Sequence, residues 1–400
     1  MRKVGFLALY VVLILIAGMA LSSGVYKRAA LPEKNYEKEL EVFLDALSIV
    51  KSDYVDPQSI GPKKLIHGAI SGMISSLDPY SEFLEPDEFK DIKIETKGEF
   101  GGIGVEIAVK DGFLTVIAPI DGTPAFKAGI LAGDKIMKIG AKSTKKTSLQ
   151  DAVKSLRGRP GTPVEISVLR KDDKGFLDFT ITRAIIKVES IKDIKIIDED
   201  YKIGYVKLVE FQERTPVDLE AALKKLKSEG MKALILDLRN NPGGLLEVAV
   251  GVAEKFIPKG KVIVSTKGNE PSQNTVFKSE GSDEYLNFPM IVLVNKGAAS
   301  ASEIVAGAIQ AHKRGLIIGV NTFGKGSVQT VIPMSDGSAI RLTTARYYTP
   351  DNKSINQDGI TPDIQIEREE LKDSYDTQLY RSIDLLKAMK VLKFYEETKT

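Results

Sequence analysis

Residues 289–333, PMIVLVNKGAASASEIVAGAIQAHKRGLIIGVNTFGKGSVQTVIP, set the order of elements in the core of this chain. The run Met290–Val294 is nearly all apolar, which is typical of a strand covered on both faces. A tight turn breaks this run at Asn295-Lys296-Gly297, and a helix follows to about His312. A second apolar strand then leads into a glycine loop and a third strand. The order predicted is strand, turn, helix, strand, loop and strand.

Ser300 lies where the first of these strands hands over to the helix. A hydroxyl at such a turn is held at the top of the sheet, beside free backbone N–H groups and the positive end of the helix dipole. These groups can stabilise an oxyanion. The simpler interpretation is that Ser300 only caps the helix, which is the usual role of a serine at this position.

Lys325 stands between Gly324 and Gly326. Glycine allows a close approach of the backbone, so the lysine stem can enter a crowded site. Burial lowers the pKa of a lysine and makes it a base, and a serine with a neutral lysine is a known variant of the serine–histidine–aspartate arrangement. A phosphate-binding loop ending in Gly324-Lys325 is excluded, because Gly326 replaces the required serine or threonine and a strand, not a helix, follows.

The run Ser300-Ala301-Ser302-Glu303-Ile304, together with Gly324-Lys325-Gly326, resembles the active-site signature of the C-terminal processing, or tail-specific, serine peptidases. The spacing of the serine and the lysine fits that family. Ala298 replaces the first serine of the family run, which leaves Ser300 as the match to the nucleophile. The resemblance implies a Ser300/Lys325 dyad that works through an acyl-enzyme and needs no cofactor and no metal.

The same resemblance implies three further groups in the active site. Gln329, four residues after the lysine, matches a glutamine that orients the lysine in part of the family; other members use an aspartate, and Ala311 stands at that position here. The oxyanion donors are expected to be the N–H of Ala301 and that of Gly243 or Gly244, from the turn Arg239–Gly244 after the buried strand Ala233–Leu238. Asp237 and Arg239 are expected to brace this turn.

Residues 97–185 resemble a PDZ domain. Gly102-Ile103-Gly104-Val105 is similar to the loop whose N–H groups hold the terminal carboxylate of a peptide, while the peptide adds a strand to the sheet. A dinucleotide loop would need a helix after these glycines, and the sequence indicates a strand. The helix Ser148–Leu156 is expected to form the other wall of the groove. Arg157 matches a family arginine that relays ligand binding to the active site; taken alone, it is a favourable cation at a helix C-terminus.

The first residues predict export. Val4–Leu21 has no charged residue and follows a short basic start, so it is either a signal-peptide core or a marginal transmembrane anchor. Cleavage near Ala20-Leu21-Ser22 would release the protein into the periplasm or cell envelope. An uncleaved segment would anchor it to the inner membrane. The sequence leaves these two outcomes open.

Between the export segment and the PDZ domain the sequence is mostly helical. Apolar residues recur at helical spacing from Tyr36 to Tyr54, and a second helical segment extends from Lys64 to Leu77. The segment Leu77–Leu84 resembles one that precedes the PDZ domain in the family. Taken without the family, Asp78-Pro79 is a turn and a helix start.

Composition narrows the possible functions. A net charge of +2 gives no electrostatic basis for nucleic-acid binding, and the absence of cysteine excludes thiol catalysis and disulfides. The domains are predicted as 1–25 (signal peptide or anchor), 33–96 (helical), 97–185 (PDZ), 186–366 (peptidase core) and 367–400 (C-terminal helical segment). The implied fold is an α/β core of the crotonase and ClpP-like kind with an inserted α+β PDZ domain and a helical region from the N- and C-terminal segments.

The predicted function is an exported endopeptidase that recognises proteins or peptides with free apolar C-termini and cleaves near them. A homo-oligomer is compatible with the resemblance. Two alternatives come from other classes: a non-catalytic PDZ protein that holds C-termini in the cell envelope, and a crotonase-fold acyl-coenzyme A enzyme. The intact Ser300 and Lys325 argue against the first, and the export segment with the peptide-binding insert argues against the second.

Overall fold

A six-stranded sheet forms the centre of the molecule. The computed structural model describes residues 36–56, 58, 60–110, 112–145, 147–170, 175–367 and 376–397. The predicted export segment at 1–25 lies outside these residues. Among the described residues, no helix has the length and apolar character that crossing a membrane requires.

The helices, in chain order, are α1 (Tyr36–Asp53), α2 (Pro62–Ser75), α3 (Pro86–Lys97), α4 (Pro124–Lys127), α5 (Leu149–Leu156), α6 (Thr215–Ser228), α7 (Leu246–Ala253), α8 (Ala301–Ala311) and α9 (Thr377–Glu397). The strands of the N-terminal half are β1 (Glu82–Leu84), β2 (Glu99–Gly102), β3 (Val105–Lys110), β4 (Phe113–Pro119), β5 (Lys135–Ile139), β6 (Lys142–Ser143), β7 (Pro163–Leu169), β8 (Phe176–Thr182) and β9 (Ala184–Lys187). Those that follow are β10 (Ile191–Asp198), β11 (Ile203–Leu208), β12 (Ala233–Asp237), β13 (Val262–Gly268), β14 (Thr275–Lys278), β15 (Met290–Val294), β16 (Leu316–Gly319), β17 (Ser327–Pro333), β18 (Ala339–Tyr348) and β19 (Ile364–Gln365).

The central sheet has the order β10-β11-β12-β15-β16-β19, and all its pairs except β10–β11 are parallel. Every residue of β12 and β15 is buried. Alternate side chains of these strands enter two separate apolar clusters, one with α6, α7 and α8 and the other with α9. The prediction that the first strand of residues 289–333 is covered on both faces is therefore confirmed.

The C-terminal helix α9 belongs to this core. Ile383 and Leu386 are buried against Ile235, Ile291 and Leu293 of the sheet. The sequence predicted 367–400 as part of a helical region shared with the N-terminal segment. In the structure, α9 covers the second face of the central sheet, because burying its apolar side chains there removes them and the sheet from water.

A second sheet carries the order β1-β18-β13-β14, with β17 paired to β18. β1 is a departure from the sequence-based expectation, which placed a helix start after Asp78-Pro79. Residues 82–84 instead pair antiparallel with Ala339–Arg341, and Phe83 and Leu84 are buried. The gain from burying these two apolar side chains favours a strand over a helix.

The PDZ fold comprises the sheet β3-β4-β5-β7-β8, with β6 paired to β5, and the short helices α4 and α5. It has its own apolar cluster, and β2 and β9 pair where the chain enters and leaves it. Residues up to 70 form a separate unit, in which α1 buries none of its residues, so the apolar stripe predicted along it is exposed.

Candidate active site

Three loops meet at one edge of the central sheet. The strands β12, β15 and β16 are adjacent and parallel, so their C-terminal ends lie side by side. The loop after β12 contains Gly243 and Gly244, the loop after β15 ends at Ser300, and the loop after β16 carries Lys325. The parallel order of the sheet thus places the predicted oxyanion turn, nucleophile and base next to one another.

Ser300 immediately precedes α8 and has an unusual backbone conformation. Its φ is 54° and its ψ is −112°, a conformation that a residue with a Cβ rarely adopts. Ser300 and Glu303 form a capping box at the start of α8, and Ser300 is 9% exposed. A strained backbone at a helix N-terminus is typical of a nucleophile and not of an ordinary cap.

The buried carboxylate of Glu303 connects Ser300, the predicted nucleophile, to Lys325, the predicted base. One oxygen accepts hydrogen bonds from the N–H of Ser300 (2.8 Å) and from the N–H of Lys325 (3.0 Å). The other accepts from the N–H of Gly324 (2.7 Å) and from the hydroxyl of Thr322 (2.5 Å). Burial raises the pKa of Glu303, while these four hydrogen bonds act to lower it. Because all four partners donate, a single side chain fixes the two loops relative to each other.

The glycines beside Lys325 allow a close approach by a neighbouring loop. Gly324 has φ +89°, and a Cβ there would lie 2.8 Å from the carbonyl oxygen of Gln357. A Cβ on Gly326 would collide with the backbone of Asn356. The N–H of Gln357 also donates to the carbonyl of Gly324 at 2.8 Å. The prediction that the backbone beside Lys325 packs closely is confirmed.

The Lys325 side chain is half-buried, and its surroundings favour the neutral amine. Burial and, next, the positive charge of Arg341 lower the pKa of Lys325, whereas Glu303 and Glu82 act to raise it. The Nζ atom lies 5.1 Å from the centre of the Tyr80 ring. In the described part of the chain no hydrogen bond joins this amine to the Ser300 hydroxyl; the two residues are connected through the bonds of their backbone N–H groups to Glu303.

The turn after β12 packs closely against Ser300, the predicted nucleophile. A Cβ on Gly243, whose φ is +108°, would lie 2.9 Å from the Ser300 Cβ and 3.0 Å from the Ala301 nitrogen. Asn241 is fully buried and holds this turn: its amide donates to the Leu208 carbonyl (2.9 Å) and accepts from the N–H of Gly243 (2.9 Å). The Gly243 N–H is therefore occupied.

Of Gly243 and Gly244, only Gly244 has an N–H that is free to donate. Gly244 is exposed, and its N–H has no hydrogen-bond partner in the described structure. The Asn241 carbonyl also accepts from the N–H of Ala299 (3.0 Å) and from the Ser302 hydroxyl (2.9 Å), which ties the turn to the start of α8. The geometry thus favours Gly244 over Gly243 as the partner of Ala301.

Gln329 lies in β17, beside a register shift between Val328 and Gln329. Its Nε2 donates to the hydroxyls of Thr343 (2.9 Å) and Ser327 (3.2 Å), and its Oε1 is buried without a partner. The Thr343 hydroxyl in turn donates to Asp78 at 3.1 Å. No hydrogen bond between Lys325 and Gln329 is present in the described chain, so the role of Gln329 stays a prediction.

Sequence reasoning missed four residues of this site: Glu303, Asn241, Asp78 and Thr343. Glu303 was noted only as part of a run, and Asp78 only as a turn former. A glutamate three residues after a helix-capping serine is a recognisable capping pattern that could have indicated Glu303. Nothing in the sequence pairs Asp78 with Thr343, because that contact depends on β1 joining β18.

The PDZ loop has the backbone that its glycines predict. Gly104 has φ +78°, its carbonyl accepts from the N–H of Ile120 (3.0 Å), and a Cβ there would collide with Thr123. Gly102 ends β2, Val105 begins β3, and Ile103 is buried in the PDZ core. The helix α5 contacts β3, as expected of the two walls of a PDZ peptide groove.

Only part of the apolar stripe of α5 is accessible at the surface. Ala152 and Leu156 are buried in the PDZ core, while Leu149 is exposed and Val153 is partly exposed. The expected apolar wall is therefore narrower than the sequence predicted, because half of the stripe packs inward.

Arg157 lies at the junction of the PDZ fold with α3. Its guanidinium is 3.5 Å from Asp91 of α3 and 4.6 Å from the centre of the Phe100 ring. It also lines a small pocket with Glu210 and Gln212 of the core. The residue thus contacts elements on both sides of the junction.

Comparisons with known proteins agree with this arrangement. Residues 202–366 match the model of peptidase family S41, residues 101–181 match a PDZ domain, and residues 4–88 match the N-terminal domain of the activating protease CtpB. Among curated proteins, the chain is 44% identical to the carboxy-terminal-processing protease of Bartonella bacilliformis, over 89% of this chain and 82% of that protein.

The chain is also 40% identical to the carboxy-terminal processing protease CtpA of Bacillus subtilis, over 80% of this chain and 67% of that protein. Among solved structures, a putative S41 protease of Bacteroides fragilis covers 86% of this chain and 96% of its own, at 17% identity and a TM-score of 0.50. That likeness concerns the fold alone.

Proposed function

Since the chain belongs to peptidase family S41, with relatives that are carboxy-terminal processing proteases, we propose that this serine-type peptidase cleaves proteins near their C-termini with Ser300 as nucleophile and Lys325 as base. We also propose that its core is of the crotonase and ClpP-like kind. The parallel strands β12, β15 and β16, each followed by a loop of the site, support this.

The observation that carries the proposal is the bonding of Glu303, which holds the backbone of Ser300 and the backbone of Lys325 with one carboxylate oxygen. Holding reacting groups in place beforehand can supply about 7–11 kcal/mol of the barrier that an enzyme removes. A serine that only capped α8 would need neither a strained backbone nor a tie to a lysine loop. This arrangement supports Ser300 and Lys325 as the reacting pair.

In the proposed reaction, the neutral amine of Lys325 takes the proton of the Ser300 hydroxyl as its oxygen attacks the carbonyl carbon. For this the lysine side chain must turn from the Tyr80 ring towards Ser300; catalytic hydrogen bonds often tighten only when substrate is bound. The oxyanion is bound by the N–H groups of Ala301 and Gly244. Lys325 then gives its proton to the leaving amine, and water releases the acyl group from Ser300.

The PDZ domain is proposed to select substrates. N–H groups of the loop Gly102–Val105 would hold the terminal carboxylate, and Leu149 and Val153 would contact apolar last residues. Arg157 would relay this binding, since it contacts both Asp91 of α3 and Phe100. A homo-oligomer remains compatible with this function.

We further propose that the protein acts after export, in the cell envelope or periplasm. The uncharged segment Val4–Leu21 supports this location, and it would hold the protein at the inner membrane if it is not cleaved.

The function is tested with one folded test protein that carries a flexible tail ending in apolar residues. Mass spectrometry of the products locates the cut. We expect cleavage near the C-terminus by the wild type and none by Ser300→Ala. Cleavage by the Ser300→Ala variant at the wild-type rate would refute the assignment of the nucleophile.

A further inference from the structure

The turn before β1 lies next to the catalytic lysine, although it comes from a distant part of the sequence. The Tyr80 ring lies under Lys325 Nζ, and the next strand, β1, pairs with the start of β18. Glu82 of β1 forms an ion pair of 2.7 Å with Arg341 of β18, and both charges act on Lys325. The turn and the Lys325 amine therefore lie close together, and the Glu82–Arg341 ion pair acts on that amine.

Asp78 is the hydrogen-bonding centre of this turn. One oxygen accepts from the N–H groups of Tyr80 (2.8 Å) and Ser81 (2.9 Å) and from the hydroxyl of Thr343 (3.1 Å). The other oxygen accepts from the Ser81 hydroxyl at 2.8 Å. Burial alone would raise the pKa of Asp78, but these hydrogen bonds outweigh it and lower the pKa. A carboxylate is thus available that only accepts hydrogen bonds.

This carboxylate determines the direction of the next bond. A threonine hydroxyl has one proton. The Thr343 hydroxyl uses this proton in its hydrogen bond to Asp78. The Thr343 oxygen can therefore only accept a further hydrogen bond, and Gln329 Nε2 donates one at 2.9 Å. If the Gln329 amide were rotated by 180°, its Oε1 would face the Thr343 oxygen, whose only proton is already bonded to Asp78.

The orientation of Gln329 leaves its Oε1 buried and without a partner in the described structure. Buried acceptors without a donor are rare, so the Gln329 Oε1 atom needs a partner that can donate to it. The Lys325 amine is a donor with as many as three protons, and it lies beside the same turn that holds Thr343.

From this chain of contacts we propose that Asp78 is a positioning residue of the peptidase. Through Thr343 it fixes the amide of Gln329 so that Oε1 is left to accept from Lys325 and direct that amine towards Ser300. The proposal rests on the proposed function, in which Lys325 is the base. It adds a role for a residue of the segment that precedes the PDZ domain.

The test is a double-mutant cycle on the full chain, with a fluorogenic peptide that has a free apolar C-terminus. Asp78→Asn can donate to Thr343, which frees the threonine proton and allows Gln329 to turn over. We expect kcat on the alkaline plateau to fall about tenfold to a hundredfold, with KM little changed. The midpoint of the pH profile should move to lower pH, because an acceptor that stabilises the ammonium form has been lost, while Arg341, Glu82 and Glu303 are unchanged.

Gln329→Ala provides the second side of the cycle. In that background Asp78→Asn should cause no further loss of kcat. An equal loss in both backgrounds, or a wild-type kcat for Asp78→Asn, would overturn the proposal. The matched control is Asp87→Asn, the same change at an exposed position in the first turn of α3, which should leave kcat unchanged.

Folding is monitored by thermal melting. If Asp78→Asn does not fold, Thr343→Val tests the same link, because it removes the connecting hydroxyl and keeps the bonds of Asp78 to Tyr80 and Ser81. It should show the same loss of kcat; wild-type kcat would contradict the proposal. Ser300→Ala and Lys325→Ala are assayed in parallel. Their inactivity beside an unaffected Asp78→Asn would reject this inference alone, whereas an active Lys325→Ala would reject the proposed function.

Discussion

Ser300 and Lys325 come from different loops, and each depends on Glu303 for its position. Three of the four hydrogen bonds to Glu303 are donated by backbone N–H groups, so the backbone of the two loops is fixed by this one side chain. The reactive side chains are then left free to move during the reaction. This division explains how Lys325 can lie over Tyr80 in the structure and still serve as the base.

Replacing either member of the dyad should abolish catalysis. We expect Ser300→Ala and Lys325→Ala each to reduce kcat/KM by about a thousandfold or more, because each removes a reacting group. Both proteins should melt within a few degrees of the wild type, since the bonds from the backbone N–H groups of residues 300 and 325 to Glu303 are kept. The measurement is peptide cleavage by purified variants, and turnover near the wild-type level in either one would argue against the dyad.

The pH dependence of activity should follow the charges around Lys325. The base must be neutral, so the rate should rise with pH through its lowered pKa. Arg341→Gln removes a positive charge that lowers the pKa, so the midpoint should move to higher pH. Glu82→Gln removes a negative charge that raises it, so the midpoint should move to lower pH. Shifts of about 0.3 to 1 pH unit are expected for partly screened charges.

Profiles of wild type, Arg341→Gln and Glu82→Gln in the same buffers provide the comparison. Equal midpoints in all three enzymes would mean that the group titrating in the rate profile is not Lys325.

At the scale of single residues, the sequence could point to Ser300 and Lys325, because each has a local signature. Ser300 stands at a turn into a helix, and Lys325 stands between two glycines. It could not predict Asp78 or Thr343, whose roles exist only once β1 has paired with β18. Nor could it choose between Gly243 and Gly244, since that choice depends on which N–H the Asn241 side chain occupies.

The turn after β12 is the element proposed to shape the oxyanion site, and Gly243 is the point at which it approaches Ser300. A Cβ there would lie 2.9 Å from that of Ser300, at a φ of +108° that favours glycine. We expect Gly243→Ala to displace the turn and to reduce kcat about 100-fold to 1,000-fold, as loss of an oxyanion donor does. Peptide cleavage and thermal melting measure the two consequences.

Gly260→Ala is the matched control for this variant. Gly260 also has a positive φ, +82°, but a Cβ there would meet nothing within 4 Å. It should cost some stability and leave kcat unchanged. A Gly243→Ala enzyme that is as active as Gly260→Ala would show that the turn does not form part of the site.

Among the elements, the strands and helices of residues 289–333 follow from the sequence because their apolar runs are long and their breaks are clear. β1 does not, because a three-residue strand carries too few residues for a recognisable period. The groove wall of α5 was only partly predictable, since an apolar stripe does not say which of its residues face the core and which face a ligand.

At the scale of the whole molecule, the C-terminal helix α9 is tied to the strand that leads into the oxyanion turn. Arg239 bonds Asp237 (2.6 Å) and Asp376 (2.8 Å), the latter just before α9, and also Gln378 within it (3.0 Å). Tyr205 donates to the same Asp237 at 2.7 Å. Asp237 and Arg239, which the sequence predicts to brace the turn, therefore also anchor α9.

Breaking this cluster should destabilise the core. Arg239→Leu leaves Asp237 buried without its partner, which should lower the free energy of unfolding by about 3–5 kcal/mol. The control is Arg214→Leu, which removes an exposed ion pair with Asp218 and should cost about 1 kcal/mol or less. Urea unfolding of both variants checks the difference, and equal losses would mean that the buried cluster contributes no more than a surface pair.

The PDZ domain should make cleavage depend on the substrate's C-terminus. A free carboxylate bound by loop N–H groups is worth about 1.5–3 kcal/mol, so amidating the tail of one test protein should weaken binding roughly tenfold to a hundredfold. Arg157→Ala should reduce the gain in turnover that an apolar tail gives, because it loses contact with Asp91 and Phe100. Arg159→Ala, at an exposed position nearby, is its control.

Cleavage rates of the free and the amidated substrate are compared for each enzyme. Equal rates on both substrates would mean that the PDZ domain does not select by the C-terminus. If Arg157→Ala and Arg159→Ala behave alike, Arg157 has no relay function.

The central claim is that Ser300 is a nucleophile activated by Lys325, and covalent trapping tests it most directly. The enzyme is treated with a fluorophosphonate over a range of pH, and peptide mass spectrometry locates the adduct. The account predicts a single adduct on Ser300, a labelling rate that rises with pH as Lys325 loses its proton, and a rate at least about 100-fold lower in Lys325→Ala. An adduct on another residue, or labelling of Lys325→Ala at the wild-type rate, would contradict it.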